Sequence, residues 1–224
     1  MNRFYNAALL AIGFPTLFFA IYVGFDLPLG IFNSSGAILP FRGEIFLVLG
    51  LLIAIINVRR SVRRWTGLRL VGQVQEYRWN ESVSKDRITR VWLYNFLEAL
   101  VMAVMAYAIY KVSPEAWFPA CAYLICTVDN FLFTIVGASG KKFRVGLTAK
   151  AVLVSDRDVE VIYFSGLRKI EKQQDSLFFI YRDGMQLNFP LNCIQEENKP
   201  EFFKHLREVV DKDKVYIAND IPRD

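Results

Sequence analysis

Hydrophobic residues in this chain are gathered into four long runs within the first 140 residues, and mixed polar sequence follows. The runs are Phe4–Val23, Glu44–Val58, Val91–Tyr110 and Ala116–Gly137. About 20 helical residues, each rising about 1.5 Å, cross the roughly 30 Å hydrocarbon core of a bilayer. The second run is short for a full crossing, because its apolar core covers only Ile45–Ile56. The pattern predicts a bundle of four transmembrane helices.

The residues after 140 alternate apolar and polar positions over short runs that are separated by turn residues, which is typical of β-strands. Six strands are predicted: Phe143–Thr148, Ala151–Ser155, Val159–Phe164, Arg168–Gln173, Ser176–Arg182 and Gln186–Leu191. Asp183 and Gly184 between the last two favour a hairpin turn. Pro200 then begins an amphipathic helix that runs to about Asp211, and its apolar face is expected to cover the sheet.

These patterns divide the chain into a four-span membrane domain, residues 1–140, and a β-domain, residues 141–224. The loop 59–90 inside the membrane domain carries nine basic and three acidic residues. Because basic loops stay on the cytoplasmic side, this loop is expected inside, together with both termini and the β-domain. The fold class is therefore a helical membrane bundle followed by a small α+β domain.

Four arginines, Arg59, Arg60, Arg63 and Arg64, open the basic loop and precede Trp65. We expect this cluster to lie on the membrane surface against anionic headgroups. Its charges also serve as a topology signal, and that role alone would explain them. Membrane lipids are the expected contact, and no nucleic acid is expected.

The third and fourth runs carry acids where a membrane helix tolerates them least, Glu98 and Asp129. Asn95 shares a helix face with Glu98, and Asn130 follows Asp129 directly. Both acids lie eight residues, about 12 Å, from the cytoplasmic end of their run. An antiparallel helix hairpin would therefore bring the two acids together. The prediction is an intramembrane polar seam of Asn95, Glu98, Asp129 and Asn130.

Three interpretations of this seam stay open. Polar side chains join membrane helices, so the seam is consistent with a structural clamp. It is also consistent with contact to a basic residue of a partner subunit or of the basic loop. The third interpretation is a proton or cation relay. None of the four runs contains a cationic residue that would pair with the acids inside the membrane.

Cysteine and histidine chemistry adds little to this picture. Cys121 and Cys126 lie five residues apart on one apolar helix, Cys193 lies in the β-domain, and His205 is the only histidine. Helical positions five apart point in different directions, so a disulfide between the first two is not expected. These residues assemble neither a zinc site of the usual kind nor a catalytic triad. We expect no metal, no cofactor, no catalytic residue and no enzymatic activity.

Six strands followed by one amphipathic helix resemble a pleckstrin-homology-like domain, and the details are similar to the bacterial YcxB-like family. The stretch 164–170 (FSGLRKI) matches that family's link between strands, and Phe189-Pro190 stands where the family has an aliphatic-proline pair. The resemblance covers about 70 residues of the β-domain. It implies a small antiparallel sheet or barrel capped by one helix, and it implies no catalytic residues. The family has one membrane hairpin, whereas this chain has four spans.

Together these features predict a multi-pass protein of the bacterial inner membrane without enzymatic activity. Its cytoplasmic module would contact proteins or lipids as an accessory subunit, with a homo- or hetero-oligomeric membrane partner. The alternative is a small proton- or cation-coupled transporter component that uses Glu98 and Asp129. A membrane enzyme is the weakest possibility, because it would need a nucleophile with a base or a metal cluster.

Overall fold

The computed structural model describes residues 2–29, 34–211 and 215–218, and these contain five α-helices and ten β-strands. The helices are α1 (Asn2–Gly24), α2 (Arg42–Val71), α3 (Lys85–Val112), α4 (Trp117–Ser139) and α5 (Lys199–Val209). The strands are β1 (Pro28–Leu29), β2 (Ser34–Ser35), β3 (Trp79–Ser82), β4 (Arg144–Leu147), β5 (Ala151–Ser155), β6 (Val159–Tyr163), β7 (Leu167–Gln173), β8 (Ser176–Tyr181), β9 (Gln186–Pro190) and β10 (Tyr216–Ile217).

Helices α1 to α4 are each long and apolar enough to cross a membrane, which confirms the predicted set of spans at that level. Large apolar side chains such as Phe18, Val104 and Ile125 are exposed on these helices. Such a surface suits lipid tails, which are as apolar as the side chains themselves. Residues from all four helices share one buried core, which includes Leu9, Ile53, Met102, Ile109 and Tyr123.

The second helix differs from the prediction. The short second span was expected to end near Val58, but α2 continues for 30 residues from Arg42 to Val71. A helix of that length extends about 45 Å, so it is not short for a membrane crossing. At its start, Arg42 forms a salt bridge of 2.7 Å with Glu115, which precedes α4.

Contacts within the chain define two compact units, and their boundary differs from the one predicted at residue 140. The first unit, called here the membrane unit, is Met1–Arg63 with Leu93–Thr134. The second, called the β unit, is Arg64–Trp92 with Ile135–Asp224. The segment between α2 and α3 therefore groups with the tail. The reason is strand β3, which pairs with β4 from Trp79↔Leu147 to Ser82↔Arg144.

The β unit holds two four-stranded sheets, with strand orders β3-β4-β5-β6 and β10-β7-β8-β9. All neighbours pair antiparallel except β10 and β7, which run parallel. The six predicted strands are present as β4 to β9, and the hairpin turn is confirmed by the β8–β9 pairing and a φ of +83° at Gly184. Strands β3 and β10 were not predicted. In the described part of the chain, the two sheets do not close into a barrel.

Helix α5 covers the sheets with the apolar face that was predicted for it. Phe202, Phe203 and Leu206 on this face are buried. The ring of Phe202 lies 5.2 Å from Trp79 of β3 and 5.5 Å from Phe189 of β9, measured between ring centres. One side chain therefore contacts both sheets, and it brings aromatic area of the kind that dominates small cores.

We expect Phe202→Ala to lower the free energy of unfolding by about 3–5 kcal/mol, because truncating a buried aromatic leaves a cavity between the two sheets. The measurement is thermal or denaturant unfolding of the purified full chain, followed by the fluorescence of Trp79 and the other tryptophans. Lys204→Ala on the exposed side of the same helix is the control and should change stability little. Equal stability of the two variants would contradict the role given to Phe202.

Candidate functional site: a buried polar network and an open sheet edge

A guanidinium lies in the interior of the membrane unit. The side chain of Arg60, on α2, is fully buried. Its Nη1 donates to Oδ1 of Asn6 on α1 at 2.7 Å, and its Nη2 donates to Oδ1 of Asn130 on α4 at 2.6 Å. The planar guanidinium presents its donors in a fixed fork, so it holds two acceptors from different helices at once. Arg60 therefore joins three membrane helices.

The same network continues to the remaining membrane helix through a threonine. Thr134 Oγ1 donates to the backbone carbonyl of Asn130 at 2.7 Å. Asn95 on α3 donates from Nδ2 to Thr134 Oγ1 at 2.8 Å. Asn95, Asn130 and Thr134 are all buried. A connected set of hydrogen bonds thus runs from Asn6 to Asn95 and includes one residue or more from each of α1 to α4.

A second α2–α4 contact joins the adjacent residues, one position later on α2 and one position earlier on α4. Ser61 donates from Oγ to Oδ1 of Asp129 at 2.7 Å. Asp129 is half-buried, and it adjoins Asn130 just as Ser61 adjoins Arg60. This contact therefore adds a second hydrogen bond between α2 and α4 beside the one from Arg60 to Asn130.

The residues of the predicted polar seam lie on α3 and α4, and two of them share one hydrogen-bond network. Asn95 and Asn130 belong to one network, linked through Thr134. Asp129 contacts Ser61, and Glu98 is half-buried on α3. The expectation that Glu98 and Asp129 are neighbours stays a prediction.

The predicted basic surface cluster differs from the structure in two of its four residues. Arg59 is exposed and Arg63 is half-buried, whereas Arg60 and Arg64 are fully buried. The sequence interpretation ended the second span at Val58 and therefore placed no cation within the bundle. Because α2 continues, Arg60 lies within the membrane unit, where Asn6 and Asn130 accept hydrogen bonds from its two terminal nitrogens.

A helical spacing in the sequence carried the signal that was missed. Buried positions on α2 recur every three or four residues and are Ile53, Asn57, Arg60, Arg64, Leu68 and Val71. That spacing marks one face of a continuous helix. Polar residues in the middle of such a face indicate buried polar contacts. A hydropathy profile does not detect these contacts, because an arginine lowers the mean hydropathy and is then assigned to a loop.

The β unit contains a groove beside an open strand edge. A cavity of about 540 Å³ is lined by Val161 and Tyr163 of β6, by Ser165 and Gly166, and by Tyr181, Arg182, Asp183, Met185 and Leu187 of the β8–β9 hairpin. Strand β6 is the last in its sheet, so one side of its backbone has no strand partner among the described residues. The Tyr181 hydroxyl donates to the Tyr163 carbonyl at 2.6 Å and closes one end of this edge.

The register shows which backbone groups of β6 face the groove. Phe164 donates its N–H to the carbonyl of Lys150, the residue before β5. In an antiparallel pair, hydrogen-bonded and non-hydrogen-bonded residues alternate. Ile162 therefore bonds to β5, and the backbone groups of Val161 and Tyr163 point away from it. An outward row of this kind is a template for a further strand.

An ion pair and a buried thiol lie elsewhere in the β unit. Nε of Arg87 lies 2.8 Å from Oδ2 of Asp156, whose side chain is almost fully buried. Burial, and after it the charge of Asp156, raises the pKa of the Cys193 thiol to about 12. The thiol is therefore protonated at neutral pH and is a poor nucleophile, which is typical of a structural cysteine.

Among the described residues, no group of three or more His, Cys, Asp and Glu side chains is placed to hold a metal ion.

Neither a protein-family model, nor a curated protein, nor a solved structure matches this chain significantly. The resemblance of the β-domain to the YcxB-like family therefore stays a prediction.

We expect Arg60→Met to lower the free energy of unfolding by roughly 2–4 kcal/mol, because two amide oxygens lose a charged donor that water does not replace in the bundle. The measurement is the thermal unfolding of the purified full chain in a neutral detergent. Arg59→Met is the matched control, since it removes the same charge from the adjacent exposed position. The structural importance of the network would be refuted if the two variants unfolded at the same temperature.

Proposed function

We propose that this chain is a non-enzymatic, multi-pass protein of the bacterial inner membrane that presents its β unit at the cytoplasmic face. There the β unit would bind a protein partner, with the chain acting as an accessory subunit of a membrane complex. The observation that carries the proposal is the open edge of β6 beside the groove. An extended segment of a partner would add to this edge as a further strand, with main-chain hydrogen bonds for affinity and side-chain pockets for specificity.

The lining of the groove supports this occupant. Tyr163 and Met185 in this lining are 59% and 47% exposed, so the groove presents apolar area to solvent. Arg182 and Asp183 add one charge of each sign at the hairpin end of the groove. A rim of apolar and mixed polar groups around an unpaired strand suits a peptide better than a small anionic substrate.

Chain connectivity supports a membrane-bound role for the β unit. Its residues come from two stretches, and the first of them runs from the last turns of α2 through strand β3 to the first turns of α3. The cytoplasmic orientation rests on the excess of basic residues in loop 59–90. We also propose kinship with the pleckstrin-homology-like and YcxB-like proteins, supported by six strands in the expected order followed by an amphipathic helix.

We expect a photo-crosslinking amino acid in place of Tyr163 to form a discrete protein adduct in the native host. The same probe in place of Tyr216, a tyrosine of almost equal exposure (57%) on β10, should form none. Val161→Pro should abolish the adduct, because it removes an N–H that faces the groove and spares the ladder to β5. Mass spectrometry of the adduct identifies the partner.

A matching unfolding temperature would show that Val161→Pro leaves the fold intact. The proposal is wrong if the probe at Tyr163 captures no protein, or if the proline variant captures the same protein as the parent. Capture at both tyrosine positions alike would also contradict it.

The second candidate function is a proton- or cation-coupled transporter component, and the half-buried carboxylates of Glu98 and Asp129 on membrane helices favour it. Against it, the guanidinium in the adjoining network does not deprotonate in proteins, so it cannot pass a proton on.

We expect Glu98→Gln combined with Asp129→Asn to leave ion flux unchanged in proteoliposomes, because the polar residues of the membrane unit have a structural role in the main proposal. Flux is measured with a pH-sensitive dye in vesicles that hold the parent or the variant. The transporter function would be favoured instead if the parent conducts and the double variant does not.

A further inference from the structure

The β unit contains a strongly basic cavity that the groove and the polar network do not use. Its volume is about 500 Å³, and it lies where α2 ends and where the chain passes from α4 to β4. Its lining residues are Trp65, Leu68, Arg69, Gly72, Gln73, Val74, Val136, Gly140, Lys141, Lys142 and Arg144. Four of them are basic and none is acidic.

Helix ends account for only part of this charge. The C-terminal ends of α2 and α4 lie at the cavity, and carbonyl groups of their last turns accept hydrogen bonds from Asn80 and from the N–H groups of Lys141 and Lys142. Each helix end is equivalent to about half a negative charge. Two such ends offset about one of the four positive charges, so a strong excess remains for an anionic ligand.

Arg144 is held in place without being neutralised. Its Nε donates to Oδ1 of Asn80 at 2.5 Å, its Nη2 donates to the Asn80 carbonyl at 3.0 Å, and its Nη1 lies 3.4 Å from Oγ of Ser82. Asn80 is itself fixed, because its Nδ2 donates to the Val71 carbonyl at the end of α2 at 2.8 Å. All acceptors of the guanidinium are uncharged. The cation is therefore preorganised, and its charge stays available to a ligand.

The other three cations lie at the surface. Arg69, Lys141 and Lys142 are exposed, and no salt bridge involves their side chains within residues 2–29, 34–211 and 215–218. Backbone bonds fix the segment that carries the two lysines, since the N–H groups of Lys141 and Lys142 donate to the carbonyls of Ala138 and Gly137. The lysine ammonium groups lie at the ends of long side chains, so they can reach an anion in several geometries.

The apolar part of the lining indicates where the ligand comes from. Trp65, Leu68 and Val136 share the cavity with the cations. Trp65 follows the last residue of the apolar run, Val58, by seven positions, which is about 10 Å along the helix. The headgroup layer extends several Å beyond the hydrocarbon core, and tryptophan is enriched there. A ligand with both a phosphate and an acyl part matches this lining better than a free phosphate or a nucleic acid does.

We propose that this basic cavity is a binding site for the phosphate headgroup of an anionic phospholipid. The phosphate is held by Arg144 at a fixed position and by Arg69, Lys141 and Lys142 from the rim, while the glycerol and upper acyl region lies against Trp65 and Leu68. The site does not depend on the β6 edge or on a protein partner. Its loss and the loss of partner capture are therefore distinguishable.

The test is retention of lipid by the purified full chain in a neutral detergent, measured by native mass spectrometry with phosphatidylglycerol and phosphatidylcholine added in equal amounts. The parent should retain phosphatidylglycerol preferentially. Lys141→Glu combined with Lys142→Glu should reduce that retention by about tenfold or more, since each basic residue near a membrane surface contributes substantially to anionic-lipid binding. Lys150→Glu combined with Lys204→Glu is the matched control, with the same charge change at exposed positions outside the cavity.

Asn80→Ala is a second variant that keeps all four cations but removes the side-chain acceptor of Arg144 Nε, and it should also weaken retention. Inorganic phosphate at millimolar concentration should not displace the lipid, because it lacks the acyl part. The proposal is overturned if the parent shows no preference for phosphatidylglycerol, or if the cavity variant and the matched control retain it equally. Displacement of the lipid by inorganic phosphate at that millimolar concentration would also overturn it, since the ligand would then be a soluble anion.

Discussion

The membrane unit depends on one requirement, that a guanidinium buried among apolar helices finds hydrogen-bond acceptors. Arg60 meets it with amide oxygens from α1 and α4, and the link from Asn130 through Thr134 to Asn95 extends the contact to α3. In lipid there is no hydrophobic force between helices, so packing and such polar contacts are what hold them together. The network also fixes the rotation of each helix about its own axis, because a helix rotated away would break its hydrogen bond in the network and leave a buried polar side chain without that partner.

The β unit follows a different principle, the burial of aromatic area between two sheets and one helix. Phe202 reaches Trp79 and Phe189, which lie on different sheets and more than 100 positions apart in sequence. Contacts of such separation close long loops and become favourable only when the apolar area is buried. This explains why the strand between α2 and α3 belongs to the same unit as the tail. The two proposed contact surfaces lie at the margins of this core, one on the backbone edge of β6 and one among cations at the end of α2.

The four membrane helices and the strands β4 to β9 were predictable because each carries a local pattern. A run of about 20 apolar residues and an alternation of apolar and polar residues are both visible among neighbours in the sequence. The end of α2 was not predictable in this way. Arg59 to Arg64 read as a loop by hydropathy, although Asn57, Arg60 and Arg64 keep the helical spacing of the buried face. Strands β3 and β10, of four and two residues, are too short to show a pattern of their own and form through their partners.

By itself, the sequence therefore determined the number of membrane helices, the order of the main strands and the amphipathic face of α5, since these follow from local spacing and from the cost of exposing apolar groups. Only the tertiary structure decided the partners of the polar residues. Whether an arginine lies on the membrane surface or within a bundle depends on acceptors that other helices bring to it, here Asn6 and Asn130, which are 54 and 70 positions away. The same holds for the basic cavity and the open edge, because each is formed by segments that meet only in the fold.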